Sequence, residues 1–167
     1  GSRPTTRLRD GPSGVNTDAQ GVVVPSPAAA IAKAITGAYL SSSGGNAFST
    51  RTASQIVQEH FNPGEFNAPA GPLFGVQFSQ LPCSDLNTRF ATGLGTGPGP
   101  NRSPLGLSAD PGGFPLYKDG VPIGGVGFAG GDGIYGLDPV IGDRDLDVDE
   151  LVATAATFGF AAPLDRR

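Results

Sequence analysis

The sequence predicts an α+β domain built around a small antiparallel sheet, and three observations support this. The segment from residue 112 to residue 131, GGFPLYKDGVPIGGVGFAGG, is typical of two short strands. Asp119-Gly120 joins them, and this dipeptide suits a type I′ hairpin because both central residues need a positive φ. Apolar residues recur at helical spacing in two segments before the hairpin and one after it. A hydrophobic content of 38% with 10 Phe supports a packed core, although 27 Gly and 16 Pro predict long loops.

Composition narrows the classes of function. The 167 residues make one domain, and the net charge of −4 argues against a general nucleic-acid binder. No apolar run approaches the ~20 residues that span a bilayer, so we expect no membrane span. Cys83 is the only cysteine and forms no internal disulfide. The chain contains no Met, which predicts that an upstream part was removed. Any signal peptide would lie in that part, and we expect the protein to be periplasmic or extracellular.

The first half of the chain predicts an extended arm followed by two helices. Residues 1–24 form the arm, in which the run Val22–Val24 is a possible short strand. Ser26 is the expected cap of a helix in which Pro27 takes the first position and residues 28–40 follow. The apolar spacing predicts its inner face: Ile31, Ile35 and Ala38.

The second helix is expected to begin at Ser49 or Thr50 and to end at Asn62-Pro63-Gly64. Its predicted inner face consists of Ala53, Ile56, Val57, His60 and Phe61. Residues 73–79 alternate apolar with small or polar side chains, which predicts a half-buried strand.

The second half contains an irregular insertion over residues 80–111, then the hairpin, then a last helix from about Leu146 to Phe158. Acidic residues in the first turn of that helix suit its dipole. Its predicted inner face consists of Val148, Leu151, Val152 and Ala155. We place the main domain at residues 25–160 and a short tail at 161–167. Because three strands leave unpaired edges, we expect the sheet to be completed by upstream polypeptide or by another copy in a homo-oligomer.

Few residues offer chemistry. His60 is the only histidine, which excludes a metal site with two histidine ligands. Its imidazole either bonds a loop carbonyl or ligates haem iron. Gly125, Gly127 and Gly130 fit a dinucleotide fingerprint, but no helix opens after the third glycine. The acidic run over residues 143–150 has Val148 where a calcium loop needs Gly and is followed by Thr154 where the loop needs Glu, so it fits a helix N-terminus better. No pair of carboxylates is placed as acid and base, which leaves a hydrolase without support.

Several stretches resemble the GlcG/HbpS-like haem-binding family. The run NAFSTRTASQIVQEHFNPGE resembles a long-looped bacterial branch of it, and the likeness covers about residues 26–160. The residues that carry the likeness are Ala32-Lys33-Ala34, Thr36, Ala38, Thr50-Arg51-Thr52, Pro63-Gly64, Gly113-Phe114-Pro115-Leu116, Gly120 and Gly124-Gly125-Val126-Gly127.

The resemblance implies a profilin-like fold, with a five-stranded antiparallel sheet and helices on both faces. The family's opening helix and first two strands are missing from this chain, and the insertion at residues 80–111 is longer than in compact members. Members of the family form oligomers, and some bind haem, act as extracellular redox sensors or accompany glycolate-utilisation genes.

These observations predict a non-enzymatic haem (tetrapyrrole) binding or sensing module that acts in an oligomer. His60 would ligate or flank the iron, and Lys33 and Arg51 would pair with the propionates through charge-assisted hydrogen bonds. Tyr39 and Phe61 would form part of the apolar wall of the haem site. The alternative is a structural or assembly subunit without a cofactor, whose sheet a partner chain completes. A small enzyme acting on an organic acid is a third option, for which these residues assemble no site.

Overall fold

The computed structural model describes residues 3–8, 21–56, 105, 107–136 and 147–167. Within them the chain forms five strands, three helices and a short 3₁₀ turn. In chain order these are β1 (Thr5–Leu8), β2 (Val23–Pro25), α1 (Ser26–Leu40), α2 (Thr50–Ile56), β3 (Gly113–Lys118), β4 (Val121–Gly127), β5 (Ile134–Tyr135), α3 (Val148–Ala156) and the turn Leu164–Arg166. No helix of the described residues is long and apolar enough to cross a membrane.

The strands form two small sheets. β1 lies in the centre of the first sheet, antiparallel to β2 and parallel to β5. β3 and β4 form the second sheet as an antiparallel hairpin. The α+β class is therefore confirmed. Two strands that the sequence did not reveal, β1 and β5, come from this chain itself, because the segment TTRL and a two-residue strand carry almost no alternating pattern.

The Asp119-Gly120 hairpin is confirmed. Asp119 has φ 52° and Gly120 has φ 77°, as a type I′ turn requires. β4 then runs into glycines because α1 lies directly against its backbone. A Cβ at Gly125 would collide with the carbonyl of Ala34, and one at Gly127 would collide with the carbonyl of Ala30. The missing side chains therefore allow a backbone-to-backbone contact between strand and helix.

The predicted inner face of α1 is wrong at Ile31, which is 46% exposed, whereas Ile35 and Ala38 are half-buried. The close approach of the hairpin favours small residues of α1 at the contact, and Lys33 and Thr36 are buried beside them because polar partners bind both side chains. The buried residues of α1 are Ser26, Ala29, Ala32, Lys33, Thr36 and Gly37. Ser26 is not the cap: Pro25 holds that position without a side-chain hydrogen bond, and Ser26 is the first helical residue.

The predicted inner face of α3 is also wrong. Asp149 and Ala153 are its buried residues, whereas the expected inner positions face solvent: Val148, Leu151, Val152 and Ala155. The face of α3 that contains Asp149 is directed inward because the buried Lys33 of α1 attracts the Asp149 carboxylate. The acidic first turn is confirmed, and Asp147 caps the helix by accepting a hydrogen bond from Glu150 N.

α2 begins at Thr50, where Ser49 Oγ accepts a 3.3 Å hydrogen bond from Thr52 N, and Ala53 is buried as expected. The remaining predictions for this part lie outside the described residues: the rest of the helix with His60 and Phe61, its end at Pro63-Gly64, the strand at 73–79 and the insertion up to residue 104 with Cys83.

Candidate functional site

Three charged side chains meet in the interior between α1 and α3. Lys33 of α1 has no exposed surface. Its Nζ lies 2.5 Å from Asp110 Oδ2 and 2.7 Å from Asp149 Oδ2. Asp110 comes from the segment before β3, and Asp149 comes from the first turn of α3. We call Lys33, Asp110 and Asp149 the buried charged cluster.

The second oxygen of each carboxylate fixes the loop that contains β5. Asp149 Oδ1 accepts a 2.7 Å hydrogen bond from Gly131 N, and Asp110 Oδ1 accepts a 2.9 Å hydrogen bond from Gly136 N. Both ends of the 131–136 loop are therefore attached to the cluster. Through Lys33, this loop is connected to α1 and α3 at once.

Hydroxyl groups extend the polar interior towards α2. Thr36 Oγ1 donates to Ala32 O at 2.8 Å and accepts from Ser108 N at 2.6 Å. Thr50 Oγ1 accepts from Gly113 N at 2.8 Å, which attaches the start of β3 to the start of α2. Satisfied hydrogen bonds of this kind compensate for the cost of burying polar groups.

The cluster contains one cation and two carboxylates, so complete ionisation would bury a net negative charge. Burial raises the pKa of Asp110 to about 7, an effect that the Lys33 ammonium offsets only in part. Burial alone lowers the pKa of Lys33, but the two carboxylates more than compensate, so its pKa is raised. The cluster consequently gains or loses a proton at Asp110 near neutral pH. Because Lys33 Nζ has no access to solvent, we assign the cluster a structural role.

The residues that the sequence predicted to bind haem are not gathered at one place in the described part of the chain. Lys33 lies in the buried charged cluster, where its Nζ is paired with both carboxylates. Arg51 Nε pairs with Glu150 Oε2 of α3 at the half-buried surface. Tyr39 is 64% exposed near the end of α1. His60 and Phe61 lie outside the described residues. The structure thus brings Lys33 and Arg51 to adjacent acidic residues of one helix turn.

Sequence reasoning missed Asp110, Asp149 and Glu150 as partners of these cations. The acidic run was visible, but the helix dipole explained it sufficiently, and nothing in the sequence indicated that Asp149 faces inward. Asp110 fell inside the irregular insertion, where no periodicity assigns a face. In the part of the chain that the structure describes, no group of three His, Cys, Asp or Glu residues is placed to hold a metal ion.

A cavity of about 260 Å³ lies between α2, β3, α3 and the C-terminal segment. Its apolar wall comes chiefly from Phe114 and Pro115, and its polar groups are the hydroxyls of Ser49, Thr52, Thr154 and Thr157 with the Arg167 guanidinium. Arg167 Nε donates to Ala162 O at 2.8 Å. Pockets for drug-sized ligands measure roughly 300–1,000 Å³, so this cavity suits a molecule smaller than a tetrapyrrole.

Two apolar surfaces are exposed. The first, which we call the β4 edge, is the outer side of β4 with Val121 and Ile123, the latter 55% exposed. The second, the α3 stripe, follows one face of α3 into the residues after it. It consists of Val148, Leu151, Val152, Ala155 and Phe158.

Comparison with known proteins returned no matching family model, no matching curated protein and no matching solved structure. The likeness to the GlcG/HbpS-like family stays a prediction from the motif residues.

Proposed function

We propose that this chain is a non-enzymatic binding module that acts in an oligomer, where a neighbouring polypeptide extends its sheet at the β4 edge. One observation carries the proposal. Within the described residues β4 pairs only with β3, and its exposed outer side carries large apolar residues. An unpaired apolar strand edge is a template for strand addition, which is a common mode of protein recognition.

The backbone indicates where along β4 a further strand would bond. Tyr117 N donates to Phe160 O at 2.7 Å, away from the hairpin, so its partner Pro122 faces the outer side of β4. Pro122 has no N–H to offer there. The register shifts by one residue between Leu116 and Tyr117, and Phe128 N donates to Gly112 O. Gly125 and Gly127 therefore point their backbone groups outward. An added strand would therefore bond to the second half of β4.

The packing of the motif residues supports the profilin-like part of the proposal. Thr50 and Gly113 are hydrogen-bonded, and Gly125 and Gly127 lie against the α1 backbone beside Lys33. Residues that resemble the GlcG/HbpS-like family thus form one packed unit rather than scattered coincidences. A five-stranded sheet with helices on both faces would result if further strands joined this unit.

Haem or a related tetrapyrrole is the cargo that the resemblance suggests, with His60 as the iron ligand. Lys33 and Arg51 already hold carboxylates of the protein itself, so the proposal relies on His60 with Phe61 and Tyr39. Addition of hemin should produce a shift in the Soret band. His60→Ala should weaken that shift, while Lys118→Ala on β3 should leave it unchanged. An unchanged spectrum at micromolar hemin would remove haem from the proposal and leave the assembly subunit without a cofactor.

The β4 edge is tested by light scattering coupled to size-exclusion chromatography. The double variant Val121→Lys and Ile123→Lys should lower the measured mass, because two ammonium groups would replace apolar side chains next to the strand that bonds to the second half of β4. The control Ile31→Lys makes the same kind of substitution once, at a comparably exposed position on α1, and should keep the wild-type mass. An unchanged mass in the double variant would contradict the proposal. We propose a periplasmic or extracellular location, which fractionation of the native host would test.

A further inference from the structure

The α3 stripe is an exposed helix face with the pattern of an inward face. Its residues recur at i, i+3, i+4, i+7 and i+10, which aligns them along one side of the helix and its continuation. Leu151 is 52% exposed and Phe158 is 91% exposed. The opposite side of α3 is already occupied, since Asp149 and Ala153 are buried against the rest of the domain. The stripe therefore has no partner among the described residues of its own chain.

The size of this surface reaches the upper limit of what monomers usually leave exposed. Phe160 and Leu164 lie close to the carboxyl end of α3 in sequence and are also exposed. Taking ~150–250 Å² for a fully exposed aromatic side chain, the stripe and these two residues expose roughly 600 Å². Two such surfaces would bury ~1,200 Å² together, which reaches the lower limit of specific interfaces. Isolated monomers seldom show a larger apolar patch.

The distribution of charged residues around the stripe favours a second, antiparallel copy of the same surface as its partner. No charged residue occurs from Leu151 to Leu164, so two stripes can meet without burying an unpaired charge. Asp147 and Glu150 precede this stretch, and Asp165, Arg166 and Arg167 follow it, so acidic residues predominate before the stretch and basic residues after it. In an antiparallel pair the acidic end of one copy lies beside the basic end of the other. The helix dipoles also oppose each other favourably in that arrangement.

We propose that the α3 stripe is a two-fold interface between two copies of this chain, with the helices antiparallel and Ala155 near the two-fold axis. Ala155 lies near the middle of the stripe, and its small side chain permits a close helix–helix approach. The inference deepens the proposed function, since it names a second copy as one partner in the oligomer. It uses a surface separate from the β4 edge.

Two measurements test the interface. The first compares masses by light scattering: Leu151→Lys with Phe158→Lys should reduce the mass to half that of wild type, because four ammonium groups would meet in the pair. Circular dichroism should show unchanged helix content, since both side chains are exposed. The matched control Val121→Lys with Ile123→Lys places the same charges on the β4 edge and should leave the α3 pair associated.

The second measurement reports on the α3 stripe alone. In a Cys83→Ser background, Ala155→Cys should form an intermolecular disulfide under mild oxidation, whereas the control Ile31→Cys on α1 should not. An oligomer without the Ala155 cross-link would overturn this inference and leave the β4 proposal standing. A cross-linked dimer whose mass is insensitive to the β4 variant would support this inference and contradict the β4 proposal. A wild-type monomer at all concentrations would overturn the two-fold interface.

Discussion

α1 has two contacts of opposite character, one with the β3–β4 hairpin and one with α3. Against the hairpin it places backbone on backbone, with Gly125 and Gly127 leaving space for its carbonyls. Against α3 it places the Lys33 ammonium on a carboxylate in the interior. The first contact depends on shape and is insensitive to pH. The second depends on charge and fails when either partner is lost. The comparison shows that one helix can be fixed by steric fit on one side and by ion pairing on the other.

The largest effect should come from removing the cation of the α1–α3 contact. Lys33→Met leaves Asp110 and Asp149 buried without their counter-charge, and breaking a buried pair in this way costs about 3–5 kcal/mol. We expect the free energy of unfolding in urea to fall by that amount. Lys118→Met makes the same substitution on the exposed end of β3 and should change stability little. Equal losses in both variants would show that the buried charged cluster does not stabilise the fold.

An intermediate effect should come from adding one methyl group to the hairpin contact. Gly125→Ala places a Cβ against the carbonyl of Ala34, and overpacking of this kind costs about 1–3 kcal/mol. The neighbouring Gly124 has open space at its Cβ position, so Gly124→Ala should be neutral or slightly stabilising. Thermal unfolding of both variants measures the difference. Two indistinguishable melting temperatures would refute the close backbone contact.

The smallest effect is the pH dependence of the free energy of unfolding, which involves the buried charged cluster but not the hairpin contact. The folded pKa of Asp110 is raised from 3.8 to about 7 by burial. Its contribution to stability is therefore complete below about pH 4 and is lost as the pH rises through about 7. The free energy of unfolding of wild type should fall between about pH 4 and 7, by at most ~1.4 kcal/mol per pH unit, and should level off above pH 7.

Asp110→Asn keeps an oxygen for Gly136 N but cannot ionise, so its stability should be flatter over the same pH range. Gly125→Ala leaves the cluster intact and should retain the wild-type slope. A wild-type slope in Asp110→Asn would show that the proton is bound elsewhere.

Patterns confined to a few neighbouring residues predicted this protein well. Asp119-Gly120 specified the hairpin, and the acidic residues before Leu151 specified the start of a helix. Patterns that require a knowledge of the opposite surface failed. Ile31 was expected inside and lies outside, because the hairpin packs its backbone against a different face of α1. Lys33 was expected at a ligand and is instead buried against Asp149.

The sequence by itself determined the turns, the helix segments and the α+β class, because these depend on backbone preferences within a few residues. Only the tertiary structure decided which face of each helix is buried and which charges meet. Those choices depend on distant segments: Asp110 and Asp149 reach Lys33 across most of the chain. Periodicity states that a helix has an apolar face, but the surface packed against the helix decides which face is buried. In α3 an ion pair occupied the interior, and the apolar stripe was left exposed.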